Sequence, residues 1–287
     1  MNITITRYRI SFCADNDMHL PSYAGSALRG MFGHALKSMA CPTANGRSCR
    51  CQGDCLYRTL FDPPQSHTHD RKQDTPPPFI IEAHSLPRHI RAGQTAYFYM
   101  TLIGKVAHSE QMMIELAWRR ALSVGFDQKV KTKATAKFIG MSKFDSPFDS
   151  PIKPMPSTAL ILDLLTPTRI QHHGKLLNSQ DLTASLFCQA LMRRYVQLSA
   201  VYGDKPDDDE LKSVYQDIEN VTGECYLSYR AWSRFSHRQH RVIPQDGLVG
   251  RIELHGVSER LYHYLHLGQW LHIGKGTVFG LGQYQLR

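Results

Sequence analysis

The sequence predicts an α+β protein of two similar domains in tandem. Three observations predict it. A strand–helix–strand–strand–helix–strand order can be read twice along 287 residues, with one strand of the second copy not clearly visible. A proline- and serine-rich stretch, KFDSPFDSPIKPMPS, separates the copies. Hydrophobic residues make up 42% of the chain, enough for a core in each half. The expected boundaries are 1–142 for the first domain, 143–157 for the linker and 158–287 for the second domain.

The first domain opens with a strand over residues 1–12, where Ile3 and Ile5 share a face and Ile10 and Phe12 follow after a phase change. Pro21 and Ser22 open a helix that runs to about Met39. At 100° per residue, Leu28, Met31, Phe32, Ala35 and Met39 form its inner stripe, and Tyr23, Gly30, His34 and Lys37 share the other side. A phenol, an imidazole and an ammonium on one exposed face suit acid/base chemistry, since histidine titrates nearest neutral pH. Gly30, one turn before His34, opens space beside it. A surface histidine beside a lysine is also the commonplace furniture of a solvated helix.

Next comes CPTANGRSCRCQGDC, with Cys41, Cys49, Cys51 and Cys55. Four thiolates in a Pro-, Asn- and Gly-containing loop can wrap a tetrahedral zinc ion. The expectation is a structural site within a 41–55 insertion after the first helix; a reduced, metal-free loop is the alternative. Four cysteines close the coordination shell, so a catalytic zinc is not expected there. Cys13, Cys188 and Cys225 sit among apolar neighbours and read as buried small hydrophobes. Residues 62–78 are polar and rich in Pro and His, a surface loop in which His67 and His69 are discounted as ligands. Phe79–Ala83 and Gln94–Ile103 read as strands. Residues 109–124 read as a helix with Met113, Leu116, Ala117 and Val124 inward, and Val130–Ile139 as a strand with lysines at 129, 131, 133 and 137 on or beside it.

The second domain begins with an apolar strand, Ala159–Leu165, and continues into a helix over 181–202. Residues 204–219 are acidic and carry no clear element. In YRAWSRFSHRQHR, Arg230, Arg234, His237, Arg238 and Arg241 interleave with Tyr229, Trp232 and Phe235. Alternating cations and aromatics fit RNA, by pairing with phosphates and stacking on bases; a basic surface over half-buried aromatics fits equally well. Val249–Leu254 is a strand, Leu261–Ile273 a helix, and the residues from Thr277 a closing strand. Between these last two lies a glycine loop with Gly274, Lys275, Gly276, Gly280 and Gly282. It follows a helix instead of opening one, so it lacks the strand–loop–helix context of a nucleotide P-loop.

The formal charge of +9, from 34 Lys and Arg against 25 Asp and Glu, is unevenly spread and favours a polyanionic partner, most often nucleic acid. Seven cysteines, no bilayer-spanning apolar run and no signal-peptide pattern at the N-terminus fit a soluble cytoplasmic protein without a disulfide framework.

The series SALRGMFGHAL (26–36), the cysteine cluster, LTPTR (165–169), SHRQHR with GLVG (236–250) and GKGTVFGLG (274–282) resembles the CRISPR precursor-RNA-processing endoribonucleases of the RAMP superfamily. The resemblance runs from about residue 20 to 287. It implies two tandem ferredoxin-like (RRM-like) domains. It also implies metal-independent cleavage of CRISPR repeat RNA to 2′,3′-cyclic phosphate and 5′-hydroxyl ends, releasing mature guide RNA. It points to His34 as the catalytic histidine, supported by Tyr23 and Lys37, with His19 as the competitor. The basic run and the glycine loop become the RNA contacts, and other CRISPR effector subunits become partners. The sequence departs from many relatives at Gly125-Phe126-Asp127, where a second glycine-rich turn is expected. Two alternatives stay open: a non-catalytic RNA-binding subunit of the same superfamily, and a zinc-stabilised RRM-like RNA-binding protein outside CRISPR systems.

Overall fold

The computed structural model describes residues 3–40, 55–63, 66–68, 71–73, 75–127, 133–149, 152, 154–155, 159–236 and 241–287. The chain divides into two compact units, one built on Ile3–Asp145 and the other on Ser146–Ala200 and Asp204–Arg287.

In the first unit, β1 (Ile5–Ala14), α1 (Gly25–Ala40), α2 (Leu56–Phe61), β2 (Phe79–Glu82), β3 (Thr95–Ile103), α3 (Gln111–Val124) and β4 (Ala136–Asp145) follow one another. The strands form one antiparallel sheet in the order β4-β1-β3-β2. This is the ferredoxin-like arrangement. An aromatic cluster joins helices to sheet: Phe32 of α1 stacks on Trp118 of α3 at 4.7 Å, and Trp118 meets Phe98 of β3 edge-on at 4.7 Å. All three side chains are fully buried. Truncating such a ring to alanine costs about 3–5 kcal/mol, so Phe32 and Trp118 fix how the helices lie on the sheet.

Trp118 also sets the phase of α3. Ile114, Ala117, Trp118, Ala121 and Leu122 face inward, whereas Leu116 and Val124, expected inside, are exposed. The expected strand at 130–139 lies further on, at Ala136–Asp145; before it, Phe126–Asp127 pairs with Lys133–Ala134. Of the lysines there, Lys133 and Lys137 are exposed, and 129 and 131 lie outside the described residues.

The second unit contains β5 (Leu160–Thr168), α4 (Ala184–Tyr202), α5 (Asp208–Glu219), β6 (Thr222–Arg230), β7 (Gly247–His255), α6 (Glu259–Leu271) and β8 (Tyr284–Leu286). Its sheet order, β6-β7-β5-β8, repeats that of the first unit. The missing strand is β6, hidden in sequence because no residue along it is fully buried. The acidic stretch is an ordered helix: Asp207 caps α5 by accepting from the N–H groups of Asp209 and Glu210, and Val214 and Ile218 are buried. Three acids in its first turn favour the helix dipole.

The closing strand is much shorter than expected. Residues 277–279 form a 3-10 turn between left-handed glycines, and only Tyr284–Leu286 pairs with β5. Of the scattered cysteines, Cys188 is buried, with its thiol pushed up to about 12 by desolvation; Cys13 and Cys225 are half-exposed instead of buried. Among the described residues, no helix is long and apolar enough to cross a membrane.

Candidate functional site

The glycine loop is built on the strand end that carries LTPTR. α6 stops at Leu271, and His272 turns the chain with φ +53° while its Nδ1 lies 3.1 Å from the carbonyl oxygen of Leu281. Beyond it, Gly274 bridges to Arg169, and the Lys275 N–H donates to the Arg169 carbonyl at 2.9 Å. The Gly282 N–H donates to Pro167 O at 3.1 Å, and Ile273 N–H to Gly282 O at 2.9 Å. Thr166 closes the loop from below, its hydroxyl donating to Gly280 O at 2.8 Å.

Two glycines are obligatory here. A Cβ at Gly274 (φ +81°) would run into the Arg169 carbonyl, and one at Gly282 (φ +72°) into that of Ile273. The N–H groups of Lys275, Phe279, Gly280 and Gly282 are spent on protein carbonyls. The one cationic side chain of the 274–282 segment, Lys275, is exposed. Arg169, which donates to Gln245 Oε1 at 3.1 Å, stands beneath it and was not singled out in the sequence as a contact.

The basic run lies partly within view. Arg230 is exposed at the end of β6, and Tyr229 is 64% exposed. The Tyr229 phenol hydrogen bonds to Asp246, which raises the phenol's pKa and lowers that of the carboxyl. Asp246 also accepts from the Trp232 N–H at 2.7 Å. Arg234 and Arg241 sit on a two-stranded ribbon, Ser233–Ser236 with Arg241–Pro244. Their side chains, and His237 and Arg238 altogether, lie outside the described residues.

In the first unit, α1 begins at Gly25, so Tyr23 is in the turn before the helix and not on its face. Pro21 and Ser22 therefore mark the approach to the helix, not its first turn. Tyr23 is half-buried and His34 exposed, and a Cβ at Gly30 would meet nothing within 4 Å, so the space one turn before His34 is open. The neighbouring ridge is covered. A Cβ at Gly33 would lie 2.7 Å from the Phe61 ring of α2, Arg29 sits over that ring at 4.8 Å, and Lys37 Nζ lies 5.8 Å from the Tyr57 centroid. Lys37 thus faces α2 as well as the His34 side.

His19 belongs to a group that sequence reading left incomplete. Met18–His19 pairs with His89–Ile90, and the His19 and His89 rings stack at 4.6 Å. His89 Nε2 lies 3.6 Å from the Asp17 carboxylate. That carboxyl is held below its usual range, chiefly by the Ala92 N–H and further by the two histidines. Seventy residues separate the two rings, so no local pattern announces the pair.

Of the cysteine cluster, Cys41, Cys49 and Cys51 lie outside the described residues. Cys55 is buried at the N-terminus of α2, its thiol 3.8 Å from Ala40 O at the end of α1. Among the described residues, no group of three or more metal-binding side chains converges. A cavity of about 640 Å³ on the sheet of the second unit, lined by Asp163, Tyr226, Arg251, Glu253 and Arg287 among others, gathers none of the expected site residues.

The CRISPR-associated endoribonuclease Cas6 family model matches residues 162–284, and a model described as an N-terminal domain matches residues 3–144. Solved structures resemble the whole chain. Cas6 (TTHB231) of Thermus thermophilus in a product complex is 14% identical with a TM-score of 0.60, and Cas6 (TTHA0078) in a product complex is 16% identical with a TM-score of 0.54. Each likeness covers 99% of both chains. A partial Cas6-RT-Cas1–Cas2 complex is 13% identical with a TM-score of 0.54, over 99% of this chain and 46% of that one. No curated protein matches. At these identities the structures speak for the fold, two ferredoxin-like units in one chain. Within its second unit, over residues 162–284, the chain is similar to the CRISPR-associated endoribonuclease Cas6 family.

Proposed function

We propose that the protein is a metal-independent endoribonuclease that cuts CRISPR repeat RNA in the precursor transcript. The attacking group is the ribose 2′-hydroxyl of the RNA. Its oxygen bonds to the adjacent phosphorus and the P–O5′ bond breaks. The products are a 2′,3′-cyclic phosphate and a 5′-hydroxyl, which takes up a proton as it leaves. The observation that carries the reading is His34, an exposed imidazole on a rigid helix with open space above Gly30. His34 takes the 2′-hydroxyl proton, Lys37 offsets the charge on the phosphate, and Tyr23 orients the strand. Lys275 and the arginines of the 230–241 run hold the repeat.

The test is cleavage of repeat RNA in EDTA. A cut in the parent, with His34→Ala slower by about 10²–10⁴-fold and RNA binding kept, supports the assignment. A gel shift without a cut supports a non-catalytic subunit instead. The stacked His19–His89 pair with Asp17 favours a second reading, in which His19 moves the proton. Equal rates for His34→Ala and the parent, with loss in His19→Ala, would select it.

Cys41, Cys49, Cys51 and Cys55 are proposed to hold a structural zinc. The position of Cys55 supports this: it opens α2, whose Tyr57 and Phe61 rings stack at 5.1 Å beside α1, so a closed loop would fix that helix to the site. The likeness to the Cas6-RT-Cas1–Cas2 complex supports other CRISPR proteins as partners.

A further inference from the structure

Immediately after LTPTR the chain makes a tight hairpin in which Gln171–His172 pairs with Lys175–Leu176. Its turn residues are His173 (φ +46°) and Gly174 (φ +79°). Two consecutive left-handed residues form the tight turn that matches strand twist, in which Asn-Gly, Asp-Gly and Gly-Gly are the preferred pairs. The hairpin is pinned from three sides. Gln171 Nε2 donates to Gly174 O at 2.8 Å, Arg193 of α4 donates to Gln171 O at 3.2 Å, and the Leu177 N–H donates to Ile170 O at 3.0 Å.

One residue, Ile170, separates this hairpin from Arg169, whose backbone is locked to Gly274 and Lys275. The hairpin and the glycine loop therefore share a rigid base. Lys175, Arg193 and Lys275 are exposed, and none of them, nor Arg169, has an ion pair among the described residues. Other cations of this unit are matched: Arg251 and Arg287 share Asp163, Arg260 pairs with Asp217, and Lys205 and Lys212 pair with neighbouring aspartates. Lys175 and Arg193 stand on or against the hairpin, and Lys275 on the loop bonded to Arg169. His173 stands exposed at the tip of the hairpin, with its ring 4.0 Å from that of His172. A strained backbone that places an imidazole outward beside unneutralised cations is a feature to explain by binding, not by folding.

We infer that the 171–176 hairpin is a second contact for the RNA backbone, continuing from the glycine loop: Lys175 and Arg193 meet phosphates, and His173 packs on a base or sugar. This rests on the proposed binding of repeat RNA at Lys275.

The experiment measures the affinity of the full chain for repeat RNA over a range of salt, for the parent, His173→Gly, Lys175→Ala and Lys275→Ala. Glycine suits φ +46° better than histidine does, so His173→Gly should melt within about 3 °C of the parent. A merely structural role would leave its affinity unchanged. The expected result is a loss of about five- to twentyfold for His173→Gly and for Lys175→Ala. The slope of log affinity against log salt should fall by about 0.7 for each lysine removed. If both hairpin variants bind within twofold of the parent while Lys275→Ala is weakened, the hairpin proposal is overturned and the glycine-loop reading stands. If none of the three variants differs from the parent, both fail.

Discussion

Replacing Gly268 with alanine tests how α6 is fitted into the second unit. In most exposed helices this change stabilises, by about 1 kcal/mol, because glycine is the poorer helix former. Here the opposite is expected. A Cβ at 268 would collide with the hydroxyl of Tyr284 and lie 2.5 Å from Leu191 Cδ1. Leu191 is the end of a flexible chain and can give way. Tyr284 is fully buried, and its hydroxyl donates to Leu265 O at 2.6 Å, one turn earlier on the same helix. Overpacking of a filled core costs about 1–3 kcal/mol, and displacing that hydrogen bond about 1 more. Set against the propensity gain, the net is about 1–3 kcal/mol destabilising. Urea unfolding of Gly268→Ala reads this directly. Tyr284→Phe removes the obstructing oxygen, so the same alanine introduced in that background should cost less, with a coupling of at least about 1 kcal/mol. A stabilised Gly268→Ala, or an equal cost in both backgrounds, would refute the packing argument.

Two further outcomes are expected. Elemental analysis of purified protein should find close to one equivalent of zinc, reduced by Cys55→Ser; metal-free parent protein would remove the tetrathiolate proposal. Stability should be fully present below about pH 9 and decline as pH rises toward 12. Burial holds Cys188 neutral up to about 12 against an ordinary 9.0, and raises Tyr264 and Tyr284 as well, so the unfolded chain loses these protons first. A melting temperature that is flat from pH 8 to 10.5 would contradict that coupling.

The order of elements was legible in the sequence because most of the strands and helices carry their own apolar period, as β1 and α1 do. What failed had local causes. β6 has no buried face to announce it, so alternation was absent. The 208–219 helix keeps only Val214 and Ile218 inward, and its acids look like loop until Asp207 is recognised as its cap. The phase of α3 was misjudged because Leu116 and Val124 fit a stripe that Trp118 does not occupy. At the candidate site, His34, Lys275 and the open space at Gly30 were readable as residue types at a spacing. The His19–His89 stack and the seam between Arg169 and Gly274 were not. The first joins residues seventy apart, and the second is made by main-chain atoms that leave no mark on residue identity.

That seam has an evolutionary consequence. The shape of the 274–282 loop depends on backbone hydrogen bonds to Pro167 and Arg169, on Thr166 and on glycines that cannot acquire a side chain. The outward residue Lys275 contributes nothing to it through its side chain among the bonds described. Mutation can therefore rewrite what the loop presents while its frame stays fixed, so under the proposed binding of repeat RNA a lineage can follow a drifting repeat without refolding its receptor. A library randomised at 275 and across the 173–175 turn would explore that freedom on a scaffold already held in place.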